Sequence, residues 1–272
     1  YKLYQAILFK PREKTRTMIM YGGATIKDFL DKIAKQAHLD SQIMLSIYHK
    51  YALFHEASIL SKHYKIPYNT NEPSTIAYML NDSYKHLDSF AKKYATPLKS
   101  KAFKKKLIIA SIIEKETQNY KEMPLIASVI YNRLKKNMRL QMDATLNYKA
   151  KSHKIVTPEM IKNDHSAYNS YKHKGLPPQP LASVSIASLN AAFNPAKSNY
   201  LYFVKSKDGK RHLFSAVYKK HLKKVKKYKV ALRKKLSIKR RAKSLILANI
   251  PPSPKLLPFS AEPITVRATL KQ

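Results

Sequence analysis

The chain of 272 residues contains no cysteine and only four glycines. Without cysteine it has no disulfide, no thiolate nucleophile and no thiolate-bound zinc. So few glycines leave no glycine-rich loop to cradle a nucleotide phosphate, and no serine lies in a Gly-x-Ser-x-Gly elbow. The histidines lack the paired helical spacing that is typical of metal sites. We therefore expect neither a metal nor a cofactor.

Acidic residues are also scarce, with 16 Asp and Glu against 53 Lys and Arg and a formal net charge of +37 at pH 7. This charge favours a polyanionic partner such as nucleic acid, an anionic membrane surface or an acidic cell-envelope polymer. No stretch approaches the roughly 20 apolar residues of a membrane helix. The basic residues are spread along the chain, and the Lys/Arg-Gly-aromatic-Gly strand motif is missing. We therefore expect no specific nucleic-acid partner, although nucleic-acid binding stays the main competing hypothesis.

The first hundred residues predict a small βα module followed by helices. Residues 17–21 have the composition of a strand, and Gly22-Gly23 is a turn signal. Thr25 with Asp28 resembles a capping box that opens a helix reaching residue 36. Further helices are predicted over residues 40–60 and 75–94. The basic segment 97–106 is the predicted domain boundary.

The second half predicts a mixed helical and β-hairpin domain. Helices are expected around residue 112, from Pro124 onward, over 186–192 and over 217–228, with a strand followed by a short helix in 138–148. Asp208-Gly209 between two apolar runs is a strong hairpin signal. The predicted fold class is therefore α+β, with an N-terminal region of residues 1–100 and a catalytic domain of residues 101–230. Residues 231–272 form a basic, proline-containing tail that we expect to be poorly ordered, above all over 244–272.

Glu116 is the strongest candidate for chemistry. Ile109, Ile112 and Ile113 precede it by seven, four and three residues, so on a helix the four side chains share one face. A carboxyl group on an apolar stripe is costly to ionise, which raises its pKa toward the range of a general acid. Glu114 points to a different side of the helix. On spacing alone, a glutamate that ends the helix and reaches water is the more common case.

Two polar clusters downstream are candidate sugar-binding groups. Arg139, Gln141 and Asp143 alternate, so on a strand they would line one face, as either a sugar-binding row or a solvated surface. Tyr168-Asn169-Ser170-Tyr171 supplies aromatic and amide groups on a loop, which suits carbohydrate but is also ordinary loop composition. A lone histidine on a strand, such as His212, is more often structural than catalytic.

Taken in chain order, these segments resemble the bacterial endolytic murein transglycosylases. The resemblance covers residues 106–228, and it is specific because many short motifs occur together in the right order. The motifs lie at residues 110–117, 129–134, 138–143, 168–171, 175–178, 194–197, 200–204 and 212–214, with His221 beyond them. The resemblance implies that Glu116 is the catalytic acid. It implies substrate contacts for Gln141, Asp143, Tyr168, Asn169 and Tyr171.

The resemblance is looser in the first half. Ala57 stands where the family has glycine, and Lys62-His63 replace Asp-Thr, so a role for that aspartate is not carried over. Met142 replaces a threonine of the family's Gln-Thr-Asp. Family members carry an N-terminal membrane anchor and a peptidoglycan-binding βα module. Residues 17–39 of this chain resemble the end of that module. The resemblance therefore implies a single-pass protein of the bacterial inner membrane with a periplasmic catalytic domain, the anchor lying outside this sequence.

The implied reaction is cleavage within peptidoglycan glycan strands to leave 1,6-anhydro-N-acetylmuramic acid ends. Peptidoglycan strands are the expected partner, together with cell-wall synthesis enzymes and an anionic membrane surface. The alternative is a non-catalytic basic protein that binds nucleic acid or the anionic envelope.

Overall fold

A computed structural model describes residues 14–148, 152 and 155–248, which combine helices with two small antiparallel sheets. The α+β prediction is confirmed. The described residues fall into two compact units, one ending at Tyr228 and the next starting at Lys229. The elements in chain order are β1 (Thr15–Ile19), α1 (Ile26–Ala37), α2 (Ser41–Tyr51), β2 (His63–Pro67), α3 (Glu72–Lys93), α4 (Lys101–Glu116), α5 (Met123–Lys135), α6 (Pro158–Asn163), α7 (Ile186–Phe193), β3 (Tyr202–Lys205), β4 (His212–Ser215) and α8 (Tyr218–Ala248).

The N-terminal elements close around their own apolar core. Strands β1 and β2 pair antiparallel, with Met18 opposite Tyr64. Both side chains are buried against helices α1, α2 and α3. The predicted capping box is confirmed, since Thr25 Oγ1 accepts from the Asp28 N–H at 3.2 Å and donates to Asp28 Oδ2 at 2.6 Å. Helix α1 ends at His38, whose φ of 56° is left-handed.

The predicted helix over residues 40–60 is wrong beyond Tyr51. The chain leaves helix α2 there, and residues 52–60 follow an irregular path in which Ala57 has a φ of 63°. Hydrogen bonds from side chains replace the backbone hydrogen bonds of a helix here. The Tyr48 hydroxyl donates to the Phe54 carbonyl at 3.2 Å, and Ser58 Oγ accepts from the Phe54 N–H at 2.9 Å. This detour brings β2, which was not predicted, alongside β1.

A second core surrounds helix α4, which packs against α5 and α7. Ser100 Oγ caps α4 by accepting from the Phe103 N–H at 3.1 Å. The helix is buried on every side from Leu107 to Glu114, so it runs through the domain rather than along its surface. Helix α5 has Pro124 in its first turn, as predicted.

The predicted strand at the start of residues 138–148 is wrong. Residues 138–142 form a loop in which Gln141 has a φ of 50°, and Asp143–Thr145 make one 3-10 turn. The loop is held by Arg133, which donates from Nη1 to the Leu140 carbonyl at 2.7 Å. Because the alternation required by a strand is absent here, the idea that Arg139, Gln141 and Asp143 line one strand face is also wrong.

The predicted hairpin is confirmed, with β3 and β4 pairing antiparallel around a turn in which Gly209 has a φ of 74°. The predicted helix over 217–228 is too short, because α8 continues to Ala248. Its basic residues are good helix formers, and the first proline after it stands at position 251. Of the tail predicted to be poorly ordered, residues 231–248 lie in helix α8, and the rest lies outside the described residues. The division into three domains stays a prediction.

Within the described ranges, no helix is both long enough and apolar enough to cross a membrane.

Candidate active site

Glu116 is the last residue of helix α4 and lies partly exposed on a cavity of about 360 Å³, called here the acid cavity. Its Oε1 accepts from the Ala144 N–H at 3.4 Å. Desolvation by the surrounding protein raises the pKa of Glu116 to about 7, and the negative charge of Asp143 acts in the same direction. The Ala144 N–H, Lys205 and Lys115 oppose the rise in pKa without cancelling it. A carboxyl group of this kind is half protonated near neutral pH.

Glu114, two residues earlier, has a structural position. It is only 3% exposed, and its Oε2 accepts from Ser185 N at 2.9 Å and Ser185 Oγ at 2.6 Å. Its Oε1 packs against Gly22, where an added Cβ would lie 1.9 Å away. Both carboxylate oxygens are therefore engaged in joining three segments of chain. Of the two glutamates, Glu116 lines the acid cavity and Glu114 does not.

Lys115 links the end of helix α4 to the N-terminal module. Its Nζ donates to the Gly23 carbonyl at 3.3 Å and to Ser152 Oγ at 3.1 Å. Burial lowers the pKa of this amine. The turn is fixed further by backbone bonds, with the Gly23 N–H donating to Ser183 O at 3.2 Å and the Ser183 N–H to Ala24 O at 2.9 Å. The Gly22-Gly23 turn is thus packed against Glu114 and Lys115, the two residues before Glu116.

Four of the six predicted site residues lie together on the acid cavity: Glu116, Gln141, Asp143 and Tyr171. Tyr171 donates its hydroxyl to Asp143 Oδ1 at 2.5 Å, and burial followed by this bond raises the pKa of the phenol. Gln141 and Asp143 are exposed to the cavity. The Gln141 N–H donates to the Ser170 carbonyl at 3.1 Å, so the loop of Tyr171 positions the loop of Gln141.

The structure does not bring Tyr168 and Asn169 to either cavity that contains Glu116, within the part of the chain it describes. Tyr168 stacks on Tyr148, with 3.8 Å between ring centroids. Asn169 is fully buried, and its amide donates to the carbonyls of Ile161 at 2.9 Å and Asp164 at 2.7 Å. Its Oδ1 accepts from the Tyr171 N–H at 3.1 Å. The geometry gives Asn169 the position of a residue that shapes the Tyr171 loop.

Sequence analysis gave no individual role to seven further residues that line the acid cavity. The helix that carries Arg133 was recognised, but helical periodicity does not reveal the bonds by which this side chain fixes the Gln141 loop. Several of the others lie within the motifs that carry the family resemblance, which assigned them no function. The seven residues are Arg133, Leu140, Met142, Tyr202, Phe203, Tyr218 and His221.

A second cavity of about 350 Å³ also contains Glu116 and Asp143. It extends toward the Gly22-Gly23 turn of the N-terminal module, with Lys115 and Lys205 on its walls. Both cavities have largely polar linings. Glu116 and Asp143 therefore lie where two polar cavities meet, which suits an elongated polar ligand whose reactive bond is placed at Glu116.

His212 has the structural role that is usual for a lone strand histidine. Its Nδ1 contacts Glu122 Oε2 at 2.8 Å, and its backbone N–H donates to Glu122 Oε1 at 2.9 Å. Both residues are buried. The pair fastens β4 to the start of α5. Within residues 14–148, 152 and 155–248, no group of three His, Asp or Glu side chains is placed to hold a metal ion.

Comparison with known proteins places this site in a family. The model of the YceG-like family matches residues 2–227. The chain belongs to the YceG-like family. The matched range includes every residue that lines the two cavities.

Two curated relatives carry the name endolytic murein transglycosylase. The protein from Bacillus subtilis (strain 168) is 37% identical over 164 residues, which is 59% of this chain and 45% of that protein. The protein from Streptococcus pneumoniae serotype 2 (strain D39 / NCTC 7466) is 34% identical over 144 residues, 50% of this chain and 26% of that protein. The chain thus spans less than half the length of these relatives.

A crystal structure of a putative yceG-like protein from Listeria monocytogenes has the same fold. It superimposes with a TM-score of 0.63 at 27% sequence identity, covering 77% of this chain and 75% of that one.

Proposed function

We propose that the chain is an endolytic peptidoglycan lytic transglycosylase, which cleaves the bond between N-acetylmuramic acid and N-acetylglucosamine inside a glycan strand. The observation that carries the proposal is the position of Glu116, a carboxyl group with a pKa of about 7 where two polar cavities meet. An acid at the end of a pocket suits cleavage of a terminal sugar, whereas cavities on both sides of the acid suit cleavage within a chain. The printed names of the curated relatives agree with this activity.

The proposed reaction uses Glu116 twice. Protonated Glu116 donates its proton to the glycosidic oxygen, the C1–O bond breaks, and positive charge develops at C1 of the muramic acid residue. The resulting carboxylate then accepts the proton of the C6 hydroxyl of the same sugar, whose oxygen bonds to C1. The products are a 1,6-anhydro ring and a new free hydroxyl on the leaving sugar. No water is consumed, and Glu116 regains its proton.

Asp143 has two proposed roles in this reaction. Its negative charge raises the pKa of Glu116, which keeps the acid protonated near neutral pH. Its exposed carboxylate lies on the same cavities, where it stabilises the positive charge that develops at C1. The Tyr171 hydroxyl bonds to Asp143 Oδ1 and fixes its orientation. Gln141 supplies an exposed amide for sugar hydroxyls.

Tyr168 and Asn169, which the resemblance assigned to substrate binding, enter the proposal as residues that shape the loop of Tyr171. Their rings and amide groups are engaged with protein rather than with the two cavities. We therefore expect their replacement to act on stability and on loop position.

The positive charge has a proposed use in retaining the protein at the cell envelope. With 53 basic and 16 acidic residues, the chain is attracted to peptidoglycan and to anionic membrane surfaces. We extend the proposal to a protein held at the bacterial inner membrane by an anchor outside this sequence, acting in the periplasm beside cell-wall synthesis enzymes. Sedimentation with purified peptidoglycan should weaken as salt rises, and binding that is independent of salt would reject this use of the charge.

The decisive test is release of soluble fragments from purified peptidoglycan by the wild-type chain and by Glu116→Gln. The amide keeps the shape of the side chain and removes the proton, so fragment release should fall by at least about 1,000-fold. Glu159→Gln is the matched control, because Glu159 is exposed on helix α6. Wild-type rates in Glu116→Gln would refute the assignment. No release by any form would favour the alternative of a basic binding protein.

A further inference from the structure

His221 lies in the first turn of helix α8 and lines the acid cavity with Glu116. Its ring stacks on Tyr202, with 5.2 Å between centroids and 22° between ring planes. The guanidinium of Arg133 lies 5.1 Å from the centroid of the same Tyr202 ring. Arg133 is itself fixed by its bond to the Leu140 carbonyl at 2.7 Å. The imidazole is therefore held in place by packing.

The two edges of the His221 ring face different surroundings. Nδ1 is enclosed by protein and has no hydrogen-bond partner among the residues that the structure describes. The side chain as a whole is partly exposed and lines the cavity, and with Nδ1 enclosed its accessible part belongs to the rest of the ring, which includes Nε2. A proton on Nδ1 would be buried without an acceptor. The favoured neutral tautomer therefore carries its proton on Nε2, where it faces the cavity.

The charges around His221 favour its neutral form. Desolvation lowers the pKa of the imidazole, and the positive charges of Arg133 and Lys224 lower it further. The carboxyl groups of Glu116 and Asp143 line the same cavity, and Tyr202 carries a phenol next to the imidazole ring. At neutral pH His221 is thus a neutral N–H donor rather than a cation.

We propose that His221 donates a hydrogen bond from Nε2–H to the acetamido carbonyl of an amino sugar, which makes this wall of the acid cavity an N-acetyl subsite. The inference rests on the proposed function, and it adds a substrate contact to it. Tyr202 and Tyr218 stand beside His221, with ring centroids 5.4 Å from each other, and offer an apolar surface to the acetyl methyl group. A neutral N–H donor next to aromatic rings matches the two ends of an acetamido group.

This contact gives the subsite a basis for selectivity. A sugar with a free amine in place of the acetamido group leaves the Nε2–H without its acceptor. An unpaired buried donor disfavours binding, so sites built around such a bond discriminate against analogues that lack it. Since every sugar of a fully N-acetylated strand carries the group, the chain should bind such strands better than de-N-acetylated ones.

The test measures binding by calorimetry in the full chain that carries Glu116→Gln, so that no turnover occurs. The probes are a fully N-acetylated peptidoglycan tetrasaccharide and the same tetrasaccharide after de-N-acetylation. The preference for the acetylated probe should fall about ten-fold when His221→Phe is added, because phenylalanine keeps the stacking on Tyr202 and lacks the donor. The charge of the free amine affects both proteins alike, so the change in the ratio isolates His221.

His63→Phe in the same background is the matched control, because His63 is exposed on strand β2. It should leave the ratio unchanged. An unchanged ratio in His221→Phe, or no binding of either probe by Glu116→Gln, would overturn the inference. Nitrogen-15 spectra of labelled histidine give an independent readout, in which the Nε2–H tautomer of His221 is expected near neutral pH and the Nδ1–H tautomer would contradict the proposal.

The proposed function and this subsite fail in different ways. If the wild-type chain forms anhydro products while His221→Phe keeps the full preference for the acetylated probe, the function stands and the subsite is wrong. If the probes bind with the expected change in ratio and no cleavage product forms, the subsite stands and the transglycosylase proposal is wrong.

Discussion

Replacing Glu116 by glutamine should make the protein more stable at pH 8 while it removes the proposed proton donor. The pKa of Glu116 is raised from 4.5 to about 7, mainly by desolvation. The folded state therefore binds this proton more tightly than the unfolded state does. By linkage, the contribution of Glu116 to stability falls as the pH rises from about 4.5 to about 7 and stays low above that range.

The size of the effect follows from the two pKa values. A group whose pKa rises from 4.5 to about 7 destabilises the folded protein at pH 8 by at most about 3 kcal/mol. The Glu116 side chain is partly exposed, so solvent screening reduces this figure, and we expect about 1 to 2 kcal/mol. A neutral amide of the same shape avoids the penalty. At pH 5 the native carboxyl is largely protonated and most of the penalty is absent, so the two proteins should then differ by less than about 1 kcal/mol.

Urea denaturation at pH 5 and pH 8 measures both quantities. Glu116→Gln should gain more stability over the wild type at pH 8 than at pH 5, while Glu159→Gln, a change of the same group at an exposed position, should show no such dependence on pH. A Glu116→Gln protein that is equally stable relative to wild type at both pH values would refute the raised pKa, and with it the physical basis for the choice of acid.

Four further changes test the surroundings of the acid. Asp143→Asn removes a negative charge that raises the pKa of Glu116, so the alkaline limb of the pH–rate profile should move to lower pH. The cleavage rate itself should also fall. Lys205→Gln removes a positive charge that lowers the pKa of Glu116, so the alkaline limb should move to higher pH. Shifts in the same direction in both variants would contradict the assignment of Glu116. Gly22→Ala places a Cβ 1.9 Å from Oε1 of the buried Glu114. It should lower the free energy of unfolding by about 1 to 3 kcal/mol, measured by thermal denaturation, and reduce activity. The control Gly209→Ala, in the hairpin turn, should affect stability alone. Glu122→Ala leaves the buried strand histidine without its partner and should lower stability by about 3 kcal/mol in urea, and a loss below about 1 kcal/mol would reject the structural role of that pair.

Local signals in the sequence were sufficient for the helix caps and for the hairpin. The Thr25 capping box and the Asp208-Gly209 turn each depend on residues within a few positions of one another, and both are present in the structure. Strand β2 was missed although Tyr64 and Ile66 alternate with exposed residues. Its signal followed a segment that was assigned to a helix, and that segment is irregular because of bonds to Ser58, which helical periodicity does not reveal.

The position of Glu116 on the apolar face of its helix predicts the correct direction of its pKa shift. It does not distinguish Glu116 from Glu114. Helix α4 is buried on all sides over its second half, so an apolar stripe did not separate Glu116 from Glu114, which is the more deeply buried of the two. What separates them is long-range contact: Ser185 binds Glu114, whereas Asp143 and the acid cavity face Glu116. Such contacts join residues about 30 to 70 positions apart, and no local pattern predicts them.

The loop of Gln141 shows the same limit. Alternating polar residues favoured a strand, yet a left-handed φ at Gln141 and the bonds of Arg133 to the loop carbonyls produce an irregular path. Gln141 and Asp143 still reach the acid cavity, by a backbone geometry different from the predicted one. The resemblance to a family therefore selected side chains whose placement the periodicity could not explain.

The most direct test of the central claim is the mass of the fragments that the wild-type chain releases from purified peptidoglycan in water enriched in oxygen-18. If Glu116 acts first as acid and then as base, every new N-acetylmuramic acid end carries a 1,6-anhydro ring, is lighter than the corresponding hydrolytic end by one water and contains no oxygen-18. Reducing ends that carry oxygen-18 would show hydrolysis and would contradict the account.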